Sequence, residues 1–221
     1  MGQYLKLFRT EADYEAASDK PDVAHIIEDV GIIVKDPIDF NGHEYVDLGL
    51  PSGILWAKCN VGTDSESGYG GYYMYGKGSK AYNKNEPRYS ATTEVLPLEV
   101  DTARIVMGGD WKMPTKEQTE ELERYTTKEY DFVINRVKGI KLTSTINGNY
   151  VFFPYAGNYY LGRLINRTEW AFFMTSTASD ISNTAHYGAT VNYFSNTIGG
   201  GVRNDSLNIG GYSVRGVIEI S

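Results

Sequence analysis

Three histidines, one cysteine and a scatter of carboxylates are the side chains here best equipped for metal, nucleophilic or acid–base chemistry. His25, His43 and His186 lie far apart and in no HExxH-like spacing, which would bring two imidazoles onto one helix face around a zinc ion. A single thiol, Cys59, excludes an intramolecular disulfide framework and an all-cysteine zinc site. Its surroundings, "LWAKCNV", mark it as a small apolar strand residue. Among the carboxylates, Asp29 and Asp47 are a conceivable acid–base pair, but neither has a partner group at a telling distance. No GxSxG supplies a nucleophile elbow. "YGGYYMYGKGSK" lacks the Gly-Lys-Ser/Thr ending and strand-to-helix setting of a phosphate-cradling loop, and "GGG" at 199–201 lacks dinucleotide spacing. The residues therefore assign no catalytic group, metal site or cofactor, and the chain is expected to bind rather than to catalyse.

Charge and composition narrow the partner. The formal net charge is −7, and no run of Lys and Arg forms the basic face that nucleic-acid binding requires. With 221 residues, 41% of them hydrophobic, the chain can bury a full core without metals or disulfides. Eighteen Tyr and 24 Gly against 7 Pro point to many strands joined by tight turns. "MGQYLKLFRTEADYEAA" breaks every apolar run with charge, so it fits neither a secretory signal nor a membrane span. Taken as a native start, it predicts synthesis in a cytoplasm without general secretory export. Asn166 and Asn204 then head Asn-x-Ser/Thr triplets that stay unglycosylated.

The elements that would position any site fall into two units. Residues 1–38 read as a small β/α unit, with strands in "YLKLF", "VAHII" and "GIIVK" and a helical turn capped by Thr10. The larger unit, 39–221, opens with a hairpin in "HEYVDLGLPSGILWAKCNVG". "DTARIVMG" predicts a short helix closed by Gly108–Gly109. "PTKEQTEELERYT" predicts a longer one, with Thr115 as N-cap and Gln118 completing a capping box. Strands follow in "FVINRVKGIKLTS" and "NYVFFPYAG", with a type I′ turn at Asn147–Gly148, then in "EWAFFMTS" and "GGYSVRGVIEI". About two helices and many antiparallel strands make the class α+β.

Three segments resemble a known family. "HEYVDLGLPSGILWAKCNVG", "GGDWKMPTKEQTEEL" and "GGYSVRGVIEI" are similar, in order, to the opening, central and closing elements of the Fibrobacter-type major paralogous domain, common in gut Bacteroidetes and their phages. Gly216 stands where the family usually carries Pro. The resemblance covers 40–221 and implies a C-type-lectin-like fold, shared with formylglycine-generating enzymes and with the variable proteins of diversity-generating retroelements. The enzyme branch uses a cysteine pair that Cys59 alone cannot supply, and the calcium-site "EPN" of sugar-binding lectins is missing, "NEP" at 85–87 not being equivalent. Residues 1–38 resemble a small module of gut-phage structural proteins.

One compositional feature bears on that resemblance. From Thr175 to Ile218 the chain contains no Lys, Glu, Gln, Met or Trp, although it holds 37 of these residues, 36 of them before position 175. At that earlier rate 44 positions should hold about nine, and chance absence is of order 1 in 10⁴ or rarer. Retroelement mutagenesis of adenines in AAC and AAT codons yields fifteen amino acids, and the five it never yields are these five. Turn geometry alone also favours Asn, Ser, Gly, Asp and Tyr, so ordinary loop chemistry is a second source of the same composition.

Either source gives an interaction surface: Tyr supplies amphipathic contact area, and Ser, Gly and Asn supply adaptable hydrogen bonds. The candidate ligand-binding residues are Asp180, Asn183, His186, Tyr187, Asn192, Tyr193, Asn196, Arg203, Asn204 and Asn208, within a variable region at 175–211. With the resemblance, they imply a receptor-binding protein of a phage tail fibre or a retroelement-diversified variable protein, carried on a virion. Its partners would be a host cell-surface protein or glycan and other virion proteins, with a homotrimer expected from fibre architecture. The alternative is a bacterial cell-surface adhesin or structural domain of the same family.

Overall fold

"HEYV" and the largely apolar "LWAKCN" lie on either side of the turn-forming "LPSG", and they pair as antiparallel strands. The computed structural model describes residues 39–87, 89–178, 189–195, 199–204 and 210–219. The chain divides into two units, Met1–Ile38 and Asp39–Ser221. The strand and helix readings for 1–38 lie outside the described residues, and every element named below belongs to the second unit.

Strands β1 (Asp39–Phe40), β2 (His43–Val46) and β3 (Leu55–Asn60) lie side by side, and the last described strand, β13 (Arg215–Ile218), completes the sheet in the order β1-β2-β3-β13. The register places Tyr45 beside Ala57, Val46 beside Trp56, and Val217 beside Trp56 on its other flank. Successive residues of a strand face opposite ways, and both faces of β3 are apolar. Leu55 and Ala57 enter one hydrophobic cluster with Trp111, Met113, Phe172 and Val214. Trp56 enters a second with Leu122, Phe153, Phe173 and Val217. The sheet thus runs between two cores.

Two helices follow. α1 (Thr102–Met107) is capped by Asp101, whose side chain accepts from the Arg104 and Met113 N–H groups at 2.9 Å each, and it ends at Gly108 with φ +71°. α2 (Lys116–Arg124) has both halves of the expected capping box: Gln118 N–H donates to Thr115 Oγ1, and Thr115 N–H donates to Gln118 Oε1. The chain then forms β4 (Thr126–Ile134), β5 (Val137–Ser144) and β6 (Tyr150–Pro154), an antiparallel meander.

Here the turns differ from expectation. The two-residue turn with both central residues left-handed lies at Asn135 (φ +50°) and Arg136 (φ +67°), inside the stretch "FVINRVKGIKLTS". At Asn147–Gly148 only Gly148 is left-handed, at +77°, so a type I′ turn is excluded. The wider loop is set by its side chains. Asn147 and Asn149 both donate to the Asp47 carbonyl, at 3.0 and 2.8 Å, and Gly148 N–H donates to Ser144 O.

β7 (Asn158–Tyr160), β8 (Arg163–Ile165) and β12 (Gly210–Gly211) make a small sheet in the order β12-β7-β8. β9 (Trp170–Ala178), β10 (Ala189–Ser195) and β11 (Gly199–Asn204) make another, in the order β11-β10-β9. β9 is buried from Ala171 to Ala178, and it joins the central frame where Met174 N–H donates to Ser213 O. The described residues are therefore mostly antiparallel strands with two helices, an α+β architecture. No helix among them is long and apolar enough to cross a membrane.

Arg215 closes this frame from inside. It is fully buried, and burial pulls its guanidinium down to about 10, which leaves it cationic at neutral pH. Nε donates to Asn60 Oδ1 (3.0 Å), Nη1 to the Ala57 and Lys58 carbonyls (2.9 and 2.5 Å), and Nη2 to Phe152 O (2.8 Å). Its carbon lies 4.4 Å from the Phe153 ring centre. Because three of these acceptors are main-chain carbonyls, no hydrophobic replacement can remove them. Arg215→Met is expected to lower the unfolding free energy by about 3–5 kcal/mol, against about 1 kcal/mol for the half-buried cap change Thr115→Ala. Urea denaturation compares the two, and an Arg215→Met cost no larger than that of the cap would overturn this role for the buried cation.

Candidate functional site

The groups best equipped for chemistry are committed to structure where they are described. The His43 ring packs edge-on against Trp111, with centres 6.4 Å apart. His25, His186 and Asp29 lie outside the described residues. Asp47 accepts from Gly49 N–H at 2.7 Å through its side chain, while its carbonyl holds the Asn147 loop. In the glycine-rich loop, Lys77 and Lys80 both reach Glu86, at 3.9 and 2.9 Å, and Thr102 Oγ1 donates to Gly78 O. The Lys80 ammonium also holds the Glu86 carboxyl below its ordinary range. Among the described residues no group of three His, Cys, Asp or Glu side chains is placed to hold a metal ion.

Cys59 lies on β3, as a small strand residue, and is only partly buried. Burial pushes its thiol up, and the nearby Arg215 cation opposes that without reversing it. A thiol shifted this way is a poor nucleophile, because the thiolate is the reactive form.

The anomalous stretch divides by burial. Thr175–Ala178 and Gly210–Ile218 are buried and tied to the frame. Ser176 N–H donates to Pro114 O (2.7 Å), Ser176 O accepts from Leu96 N–H and the Tyr75 hydroxyl, and Lys116 N–H donates to Thr177 Oγ1. Such positions avoid Lys, Glu and Gln whatever their history, so thirteen of the 44 carry no signal. The remaining 31 should still hold about six of the five missing types at the earlier rate, and their absence is of order 1 in 10³.

Among the candidate ligand-binding residues, Asn192 and Tyr193 lie on β10, and Arg203 and Asn204 on β11. The register brings Asn192 opposite Val202, Tyr193 opposite Gly201, Val191 opposite Arg203, and Thr190 opposite Asn204. One antiparallel hairpin thus carries all four. It is attached to β9 through pairs such as Asn192–Phe173, and Phe194 is buried against Phe153 and Phe173. Asp180, Asn183, His186, Tyr187, Asn196 and Asn208 lie outside the described residues.

A second feature has no counterpart among the sequence motifs. Tyr72, Tyr82 and Tyr159 wall an open cleft of about 470 Å³, with Ala81 and Gly162 as its small residues and Asn83 and Lys84 as its polar ones. Tyr82 stacks on Tyr159 at 5.1 Å and 22°, and Tyr72 meets Tyr159 edge-on at 5.1 Å and 86°. Hydrogen bonds fix the rings: Tyr72 donates its hydroxyl to Ala156 O (2.6 Å), and Tyr82 accepts from Gly162 N–H (2.9 Å). Burial raises the Tyr72 phenol, with the Arg167 charge pulling the other way. Arg167 itself lies 4.3 Å from the neighbouring Tyr69 ring centre. The sequence signal is tyrosine density in "GYGGYYMYGKGSKAYN", joined in space to "NYYLG", which single-chain spacing does not reveal.

Comparison with family models, curated proteins and solved structures finds no match for the chain. Cys59 offers a direct check on the local environment of β3. With its thiol held up by burial, alkylation by iodoacetamide at pH 8 should run at least about threefold slower than that of free cysteine. A rate equal to or above free cysteine, followed by mass spectrometry, would count against that environment.

Proposed function

We propose that the chain is a non-enzymatic recognition protein with a C-type-lectin-like domain over 39–221. In this reading it is the receptor-binding part of a phage tail fibre, or a related variable protein diversified by a retroelement. Residues 1–38 would attach it to the fibre or to sister chains, and a homotrimer would let several modest contacts act together through effective concentration. The partner is a host surface protein or glycan, and the setting is a virion.

The observation that carries the reading is how the anomalous stretch sits on the frame. Its two buried ends are bonded into the core, and between them one hairpin, β10–β11, hangs on β9. A rigid frame presenting a chemically restricted segment is the arrangement expected of a binding surface.

Support for the family reading comes from how its three segments meet. β3 and β13 pair directly, and Lys112 and Val217 exchange both backbone hydrogen bonds, at 3.0 and 2.8 Å. Trp111 donates its indole N–H to Phe40 O, so the central element also ties to the opening one. At Gly216 an added Cβ would stand 2.7 Å from Met107 Sδ and 3.0 Å from Trp111 Cε3, which accounts for glycine where the family usually has Pro.

The test has two arms. Deep sequencing of this gene from a source population should find substitutions concentrated in 179–209, in codons ending in C or T. Joint replacement of Asn192, Tyr193, Arg203 and Asn204 by Ser should weaken binding to host cells at least about tenfold with the urea midpoint unchanged. A clonal gene would sink active diversification, and unimpaired cell binding by the fourfold variant would sink the assigned surface.

A further inference from the structure

We propose that the Tyr72–Tyr82–Tyr159 cleft is a subsite for an acidic sugar residue, separate from the β10–β11 hairpin. The inference rests on the recognition reading in taking the chain as a ligand-binding module, and it adds a ligand class and a place.

Three polar groups of the cleft, on Lys84, Asn83 and Tyr82, are poised to donate. Lys84 is exposed, carries three N–H donors and makes no ion pair among the described residues. Asn83 already accepts from Asn85 N–H through its Oδ1 (3.0 Å), so its NH2 group is the half left to present. The Tyr82 oxygen accepts from Gly162 N–H, which leaves its own proton to give. Tyr72 has committed its proton to Ala156 O. Three donors, one of them a full cation, match a ligand rich in acceptors and bearing negative charge. Arg167, close enough to influence the Tyr72 phenol, adds to the positive potential at this place on a chain of formal charge −7.

The walls select the body of that ligand. Tyrosine faces carry negative quadrupole charge and attract the weakly positive C–H groups of a saturated ring. Stacking Tyr82 on Tyr159 leaves each ring one face that its partner does not cover. A volume of about 470 Å³ falls in the usual small-ligand range of roughly 300–1,000 Å³. A hydroxylated saturated ring with a carboxylate meets all three requirements. A polynucleotide would meet the stacking requirement, but the net charge of the chain opposes it.

The cleft is also held in shape. Tyr82 N–H donates to Tyr72 O (2.8 Å), β7 pairs Tyr159 with Gly211, and a Cβ at Gly211 would stand 2.6 Å from Tyr82 Cβ. Gly211 is thus a positioning residue for Tyr82.

Isothermal titration of the full chain with trigalacturonate, a glucuronate-containing tetrasaccharide and sialyllactose tests this, with maltotriose as the uncharged control. At least one acidic probe should bind more tightly than maltotriose. Tyr159→Ala should weaken that binding at least about tenfold, and Lys84→Gln, an exposed change without folding risk, should remove the preference for acid. Failure of all three acidic probes, or binding untouched by Lys84→Gln, overturns the subsite. Host-cell binding that persists in Tyr159→Ala and Lys84→Gln, with no sugar bound, removes the subsite and leaves the recognition reading standing. Loss of the recognition reading shows separately, as cell binding indifferent to the hairpin variant while the acidic probe still binds.

Discussion

A fully buried cation with no carboxylate partner among the described residues sits at the centre of this domain, and the strands around it are arranged to satisfy it. Removing a guanidinium from water costs several kcal/mol, and only well-aimed acceptors offset that. Arg215 finds them in main-chain carbonyls of β3 and β6 and in Asn60. Those carbonyls converge only when β13 lies beside β3 and β6 lies across them. The charge therefore penalises partial assembly: a frame lacking either strand would leave a buried cation short of acceptors. A hydrophobic residue at this position would tolerate a loose arrangement that arginine does not.

Around that centre the packing is two-sided, and this sets what the rest of the chain is free to do. β3 and β9 bury both faces, sending Leu55, Ala57, Phe172 and Met174 into one cluster and Trp56, Ala171 and Phe173 into the other. β10 is tied to β9 by its ladder, with Phe194 as its buried aromatic anchor. The hairpin is thus held by main-chain hydrogen bonds, which residues of every type but proline can donate, and by one aromatic anchor.

Much of the frame was legible where local chemistry decides structure. Gly108 marked the end of the first helix and the Thr115–Gln118 box the start of the second, because caps satisfy orphan N–H and carbonyl groups within a few residues. The turn residues "PSG" ahead of the apolar "ILWAKCNV" likewise marked the β2–β3 hairpin from local residues alone. Turn geometry was legible only where it was intrinsic. Asn147–Gly148 had the residues of a tight turn, but anchorage of Asn147 and Asn149 to a carbonyl a hundred residues away opened the loop instead. Leu161 and Gly162, both left-handed, turn the β7–β8 hairpin without an Asn-Gly signal. Arg215 showed in the sequence as one residue of a strand, since nothing local tells that its four acceptors lie at positions 57, 58, 60 and 152. The tyrosine cleft was hidden likewise, its walls coming from residues nearly ninety positions apart.

On the proposed reading the two surfaces would carry recognition in different ways, and the difference follows from how each is held. Tyr72 and Tyr82 are fixed by hydrogen bonds and Tyr159 by ring contact with both, so little rotamer freedom remains to be lost when a ligand docks. They also lie outside the stretch from Thr175 to Ile218, and composition there leaves them unchanged. A constant subsite of modest affinity would hold a surface bearing acidic sugars long enough for the hairpin to be tried against it. Each 1.4 kcal/mol contributed by the constant part lowers by about tenfold the affinity that a new hairpin sequence must supply alone. If the hairpin is diversified as proposed, its variants gain most where they begin from some residual attachment, and a fixed, donor-lined aromatic cleft on the same frame would provide it.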